Sequence, residues 1–337
     1  MRAPIDWREV YAANQAVIHG ARRPGASRRR TTARPLRAIS TASPAPHDGG
    51  EWLSLGGRRV LVHTASDPAA APAPLLVMLH GCTQDPADFA RGTAMDAAAD
   101  SHGFVVAYPE QPRSANPQGC WNWFAPEHQG REGGEPASLA QIATALAGDP
   151  RRRIDPGRVF VAGLSAGGAM AGIAAATRPD VFAGVAIHSG LPYASADGIG
   201  SALQAMTRGA RDPAAAGRAA HAAMGAAARP VPALVLHGDA DRTVRPCNGA
   251  QAAAQWCETN RLASASGQPL APDRPERDGR TTRHRWRDAD GRVLVEHSEI
   301  DGLGHAWSGG SAAGSHTDAL GPDATAAIVA FLGLTRR

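Results

Sequence analysis

One pentapeptide, Gly163-Leu164-Ser165-Ala166-Gly167, constrains the fold of this chain more than any other segment, because of what flanks it. It is the only Gly-x-Ser-x-Gly in the sequence. Before it, Arg158-Val159-Phe160-Val161-Ala162 is short and apolar, as a buried strand is. After it, Gly168-Ala169-Met170-Ala171-Gly172-Ile173-Ala174-Ala175-Ala176 reads as a helix of small residues packed closely on a sheet. A serine on such a turn is lifted clear of the sheet. It lies near the helix N-terminus, where backbone N–H groups can receive a developing oxyanion. The glycines two residues to either side are needed because the turn is strained and the two backbones pass close together.

Composition removes several alternatives. The 337 residues are 43% hydrophobic, ample for a packed core in one large domain or two small ones. No apolar run approaches the roughly 18 residues of a membrane-spanning helix. The net charge of +4 is uneven: residues 1–40 carry nine Arg against Asp6 and Glu9, a net +7, leaving −3 for the rest. A nucleic-acid partner for the body is therefore not expected. The chain has no lysine, hence no P-loop Lys, no pyridoxal Schiff base and no Ser–Lys dyad. With neither His-Glu-x-x-His nor Cys-x-x-Cys, no metal site is expected.

Residues 1–50, with Arg28-Arg29-Arg30 and a Ser/Thr/Pro/Ala stretch from Ser40 to Pro46, read as a disordered tail. They contain no hydrophobic region of the secretory-signal type. Residues 51–337 read as one catalytic domain in which strands alternate with helices. Arg59–His63, Leu75–Leu79, Phe104–Tyr108, Val181–Ile187 and Ala233–Leu236 are expected strands. Pro86–Ser101, Ala137–Ala147, Asn248–Asn260 and Pro322–Leu332 are expected helices, and Thr282–Trp286 with Arg292–Glu299 an expected hairpin. Such alternation implies a mostly parallel sheet covered on both faces. Ala194 to Arg229, rich in Ala and Arg and longer than a simple crossover needs, is the candidate for a cap over the site, with a plain helical crossover as the alternative.

A serine hydroxyl needs a base to take its proton and an acid to orient that base. In α/β-hydrolases the chain order is Ser, then Asp or Glu, then His. The expected strand Ala233–Leu236 runs into His237-Gly238-Asp239-Ala240-Asp241, and a carboxylate just past a strand's C-terminal end is well placed. Asp239 follows the glycine directly and suits the turn, whereas Asp241 lies far enough along to reach an imidazole. We therefore take Asp241 as the acid over Asp239. His305 sits in Asp301-Gly302-Leu303-Gly304-His305, after the last strand, and is the expected base. His297, inside the strand, and His316, in the next loop, are the alternatives. The oxyanion donors expected by position are the amides of Ala166, after the nucleophile, and Cys82, in the loop after the third strand.

Six ordered motifs then resemble one family. They are Leu79-His80-Gly81-Cys82-Thr83-Gln84, Gly119-Cys120-Trp121-Asn122-Trp123-Phe124, the Ser165 elbow, His188-Ser189-Gly190-Leu191-Pro192-Tyr193, His237–Asp241 and Gly304-His305-Ala306-Trp307-Ser308-Gly309-Gly310. Together they resemble the poly(3-hydroxybutyrate) depolymerase-type esterases, α/β-hydrolases related to feruloyl and acetylxylan esterases. The resemblance covers roughly residues 55–335. It implies an α/β-hydrolase fold and carboxylic ester hydrolysis through an acyl-serine, with Ser165, Asp241 and His305 as triad and no cofactor. It implies as substrate class polyhydroxyalkanoate or its oligomers and other short-acyl esters; a peptidase or thioesterase would share the same triad. Secreted depolymerases of this kind usually carry a separate substrate-binding domain after the catalytic one, and here five residues follow Leu332. Soluble oligomers or small esters are the expected substrates on that ground.

Cys82 and Cys120 occupy motifs that are disulfide-joined in related secreted enzymes, so the resemblance implies that bridge. Cys247 and Cys257 flank an expected helix whose ten residues rise about 15 Å, against the ~7 Å limit between bridged Cα atoms; they are expected to be unpaired. A bridge argues for an extracellular, oxidising setting, and the absence of a visible signal argues for a cytoplasmic one. Trp307, Trp121 and Trp123 are candidates for binding substrate, and equally for core packing.

Overall fold

Apolar strands whose backbone groups would otherwise be buried unpaired collect into a ten-stranded sheet. The computed structural model describes residues 50–65, 72–262 and 270–335. The tail expected over residues 1–50 lies outside the described residues, apart from Gly50. In chain order come β1 (Glu51–Leu55), β2 (Arg58–Thr64), β3 (Ala73–Leu79), α1 (Pro86–Thr93), α2 (Met95–His102) and β4 (Val105–Pro109). Next are α3 (Gly134–Ala147), β5 (Ile154–Leu164), α4 (Ala166–Thr177), β6 (Val185–His188), α5 (Ile199–Arg208), α6 (Pro213–Met224) and β7 (Ala233–Gly238). The remainder is α7 (Cys247–Thr259), β8 (Glu276–Asp278), β9 (Thr281–Arg287), β10 (Val293–Ile300), β11 (Trp307–Ser308), β12 (Thr317–Asp318) and α8 (Ala324–Leu332).

The strand order is β1-β2-β4-β3-β5-β6-β7-β10-β9-β8. The six strands from β4 to β10 run parallel, and antiparallel pairs close both edges. Because side chains alternate along a strand, each strand feeds two cores. Leu75, Val77 and Leu79 join Val159, Val161, Ile187 and Val235 beneath α3, α4, α6 and α7. Leu76 and Met78 join Phe160, Ala162, Ala186 and Leu234 beneath α1, α2 and α8. Both faces are covered, as the fold requires of a parallel sheet.

Two local expectations resolve differently. Pro86–Ser101 is two helices, not one: Ala94 takes a left-handed conformation, φ 53°. The carbonyl of Gly92 accepts from Ser311 N (2.8 Å) and that of Thr93 from Thr325 Oγ1 (2.7 Å). Tertiary partners thus satisfy carbonyls that a continuous helix would use internally. Ala194–Arg229 is a two-helix crossover between β6 and β7, with α6 packed on α4 and α7. The helix α7 is unbroken from Cys247 to Thr259, and both of its cysteines are free.

Three adjacent parallel strands carry buried histidines: His188 on β6, His237 on β7 and His297 on β10. Burial, together with the charges of His237 and His305, lowers His188 to about 3. Burial, together with His237 and His284, lowers His297 likewise to about 3. An unfolded chain takes up these protons near pH 6.5, whereas the folded one does not until far lower. Folded stability from this source is complete above pH 6.5 and is lost as pH falls, by about 1.4 kcal/mol per pH unit for each such histidine. Urea unfolding at pH 7.5, 6.0 and 5.0 should show the midpoint falling, and His297→Gln should flatten that slope. An unchanged slope would contradict neutral burial of His297.

Candidate active site

The turn at Ser165 exists because two backbones nearly touch. Ser165 itself has φ 59° and ψ −120°, a strained conformation for a residue with a side chain. A Cβ on Gly163 would lie 2.4 Å from the Gly167 carbonyl carbon, and one on Gly167 would lie 2.1 Å from Leu79 O. No residue other than glycine fits at either place. Ser165 N donates to His188 O (2.9 Å), which ties the turn to the end of β6. The hydroxyl is thereby held at the C-terminal edge of the sheet, at the first turn of α4.

Two further loops at that edge converge on it. After β10, Gly302 N donates to Asp239 Oδ1 (2.6 Å) and Ala240 N to Leu303 O (3.1 Å), which locks the loop after β7 to the loop carrying His305. His305 Nε2 lies 2.8 Å from Ser165 Oγ, and His305 Nδ1 lies 2.7 Å from Asp241 Oδ2. Asp241 Oδ1 accepts from Thr243 N and Val244 N, both at 2.9 Å. His237 Nε2 stands 3.5 Å from Asp241 Oδ2 and donates to Val244 O (2.9 Å). Burial opposes the charge on Asp241, but the contacts with His237 and His305 outweigh it, and the carboxyl is held well below the usual carboxylate range. An ionised Asp241 keeps the proton of His305 on Nδ1, leaving the Nε2 lone pair for the serine. Asp239 faces the loop backbone instead.

On the opposite side, a Cβ built on Gly81 would stand 3.6 Å from Ser165 Cβ, so the loop after β3 lies against the serine. The amides of Cys82 and Ala166 donate to no group among the described residues. The Ala166 amide opens α4, where no helical acceptor exists for it. Cys82 and Cys120 are joined by a disulfide, with Cα atoms 4.3 Å apart. The Cys120 segment is itself held from within: Gln111 Nε2 donates to Cys120 O (3.0 Å), and Glu135 accepts from Asn122 N (2.8 Å). A carbonyl group placed between Ser165, Cys82 N and Ala166 N would meet the serine hydroxyl and two unpaired donors.

The tryptophans are core residues, which corrects the substrate-binding alternative for all three. Trp307 is fully buried, stacked on His188 at 5.1 Å and edge-on to Phe89, with its N–H donated to Thr325 Oγ1 (3.2 Å). Trp121 is fully buried under the Arg58 guanidinium, and Trp123 is 5% exposed, edge-on to Phe124. Their indole area is spent on packing the loops that carry His305 and Cys120. Of the alternative bases, His297 is buried in β10, and His316 stands at the rim with Nε2 3.4 Å from Thr83 Oγ1. Sequence reasoning assigned no role to His80, Gln84 or Gln111, which support the Cys82 loop. His80 and Gln84 entered only as members of the Leu79–Gln84 motif, and Gln111, further along the chain, carried no signal.

The packing around the turn predicts a sharp contrast between glycines. Gly167→Ala should destabilise by about 3 kcal/mol or more, because the added methyl meets backbone that cannot move aside. Gly198→Ala, with nothing within 4 Å of its Cβ, should shift the thermal midpoint little. Equal midpoints for the two variants would contradict this packing.

Residues 62–278 match the family described as Esterase PHB depolymerase. Poly(3-hydroxyalkanoate) depolymerase C of Paucimonas lemoignei is 37% identical over 237 residues, 70% of this chain and 55% of that protein. This chain thus spans about half the length of that relative. A probable acetylxylan esterase A of Aspergillus fumigatus is 27% identical over 73% of this chain and 70% of its own length. In structure, the acetyl xylan esterase from Aspergillus awamori superposes with TM-score 0.70 at 20% identity, covering 85% of this chain and all of that one, which shows a shared α/β-hydrolase fold. By the extent of the family match, this chain belongs to the PHB depolymerase-type esterase family.

Proposed function

We propose that the protein is a serine carboxylic-ester hydrolase that works through an acyl-serine intermediate. The observation carrying this is the continuous contact Ser165 Oγ–His305 Nε2 (2.8 Å) and His305 Nδ1–Asp241 Oδ2 (2.7 Å), facing two unpaired amides. Ser165 Oγ attacks the ester carbonyl carbon while its proton passes to His305 Nε2. The imidazolium so formed is stabilised by Asp241, whose charge is held by two backbone N–H groups. The carbonyl oxygen, now an oxyanion, takes the amides of Cys82 and Ala166. As the tetrahedral centre collapses, the C–O bond breaks and the alkoxide takes the proton from His305. Water, deprotonated by the same nitrogen, then releases the acid and restores the serine.

For substrate, we infer short-acyl esters, among them oligomers of 3-hydroxyalkanoates. The depolymerase relative at 37% identity supports this class. An acetylxylan-type ester is the second reading, supported by the acetylxylan esterase relative that shares 70% of its length with this chain. Kinetics on p-nitrophenyl acetate and butyrate, acetylated xylan, a feruloyl ester, hydroxybutyrate trimers, a thioester and a peptide would rank these.

Two outcomes are expected for the machinery. Ser165→Ala should retain the wild-type thermal midpoint within a few degrees and lose several orders of magnitude in turnover. A fluorophosphonate should label Ser165 alone, as peptide mass spectrometry would read; labelling elsewhere would defeat the mechanism. Asp241→Asn should lose about 10³–10⁴-fold in kcat, because an amide at that place favours the wrong imidazole tautomer. Asp239→Asn, which alters only a loop contact, should keep most turnover. The reverse pattern would show that the wrong carboxylate has been assigned.

A further inference from the structure

We propose that His80 and Gln84 are positioning residues that aim the Cys82 amide at the oxyanion, His80 by holding the carbonyl of the Gly81–Cys82 peptide and Gln84 by holding the N–H of the peptide before it. This rests on the reading of that amide as an oxyanion donor. In a trans peptide the C=O and the following N–H point in opposite directions, and the described chain contains no cis peptide bond. His80 Nδ1 lies 2.8 Å from Gly81 O. Gln111 N donates to His80 Nε2 (3.2 Å), so that nitrogen carries no proton and Nδ1–H is the donor. With Gly81 O anchored on His80, the Cys82 N–H is turned away from His80.

Gln84 fixes the neighbouring peptide. Its Oε1 accepts from Gly81 N (2.9 Å), while its Nε2 donates to Ser315 O (3.1 Å) and Asp88 Oδ2 (3.3 Å). The side chain is only 6% exposed, so these bonds are made out of water. Ser315 precedes β12, which pairs with β11 just beyond His305. Gln84 therefore ties the oxyanion loop to the segment that follows the base, and sets the distance between the two halves of the site.

Such tethers are needed because the loop is strained. Thr83, β-branched, has φ 68°, a conformation that a free turn would abandon. Thr83 N is held by Gln118 O (2.7 Å), and the Cys82 side chain by Cys120. A hydrogen bond to a peptide C=O also polarises the N–H of the same peptide, which strengthens it as a donor. A merely structural role would affect folding or substrate affinity; positioning of this amide affects the transition state.

The test uses the full chain and three variants, His80→Leu, His80→Asn and Gln84→Met. The readouts are kcat and KM on p-nitrophenyl butyrate, inhibition by phenylboronic acid, which adds to the serine as a tetrahedral anion, and the thermal midpoint. His80→Leu and Gln84→Met should lower kcat about 10- to 100-fold, less than the ~10²–10³ seen when a donor is deleted outright. KM should stay within about threefold, and boronate affinity should fall in parallel with kcat. His80→Asn, whose side-chain N–H can replace Nδ1–H, should recover most of the kcat lost in His80→Leu. The double variant should lose less than the product of the single losses, since both act on one amide. The proposal is overturned if kcat is kept while KM rises, or if boronate affinity is unchanged in folded variants. It is equally overturned if His80→Asn is no better than His80→Leu. Should His80→Leu show no cooperative melting, Gln84→Met and His80→Asn decide by the same criteria. A wild-type chain that neither cleaves the ester nor binds the boronate would refute the esterase reading itself; one that does both, with indifferent variants, refutes only this inference.

Discussion

The contact between the start of α4 and the end of β3 is the constraint from which the site follows. A Cβ on Gly167 would stand 2.1 Å from Leu79 O and 2.5 Å from His80 O. That approach presses the Ser165 turn against the loop Gly81–Gln84, so one close contact brings the serine hydroxyl and the Cys82 amide to one place. Its cost is the strained φ of 59° at Ser165. The strain persists because Ser165 N is bonded to His188 O and β5 is paired on both sides. A softer packing here would let the serine relax into an ordinary turn and lose its exposure.

Electrostatics complete what packing begins. Asp241 is buried, yet ionised, because two backbone amides and two imidazoles surround it. Its second oxygen, Oδ2, shared with His237 at 3.5 Å, meets His305 Nδ1 at 2.7 Å and holds the proton there. The other buried histidines behave oppositely. His188 and His297 are buried near other imidazoles and stay neutral. His188 then serves as a hydrogen-bonding and stacking platform for Trp307, Nε2 accepting from Ser308 N (3.3 Å). The His305 loop is thus propped by aromatic packing, with Trp307 buried behind it.

The disulfide, the Gln111–Glu135 pair and Arg58 form a second support beneath the Gly81–Gln84 loop. Gln111 serves several groups at once: its backbone N–H on His80, its side chain on Cys120 O, Glu135 and Arg58. Buried polar groups this connected are satisfied only in one arrangement, which makes them effective at fixing a loop that has no regular structure of its own. The burial of Arg58 lowers its pKa, with Glu135 opposing that shift.

Much of this was legible in the chain itself. The Gly-x-Ser-x-Gly between an apolar strand and a small-residue helix dictates the elbow, because only glycine tolerates such approach. That Ser165, Asp241 and His305 would meet was readable from strand ends and glycine-rich loops, since strand C-termini converge on one edge of a parallel sheet. Other features were decided in three dimensions alone. Ala94 breaks an otherwise regular helix because Ser311 and Thr325 claim its neighbours' carbonyls from more than two hundred residues away. Trp121, Trp123 and Trp307 look identical in sequence whether they face a substrate or a core, and only the packed neighbours determine which. His80 and Gln84 carry no periodic or spacing signal, because their task is to hold backbone atoms, and which backbone atoms need holding is settled only when distant loops meet.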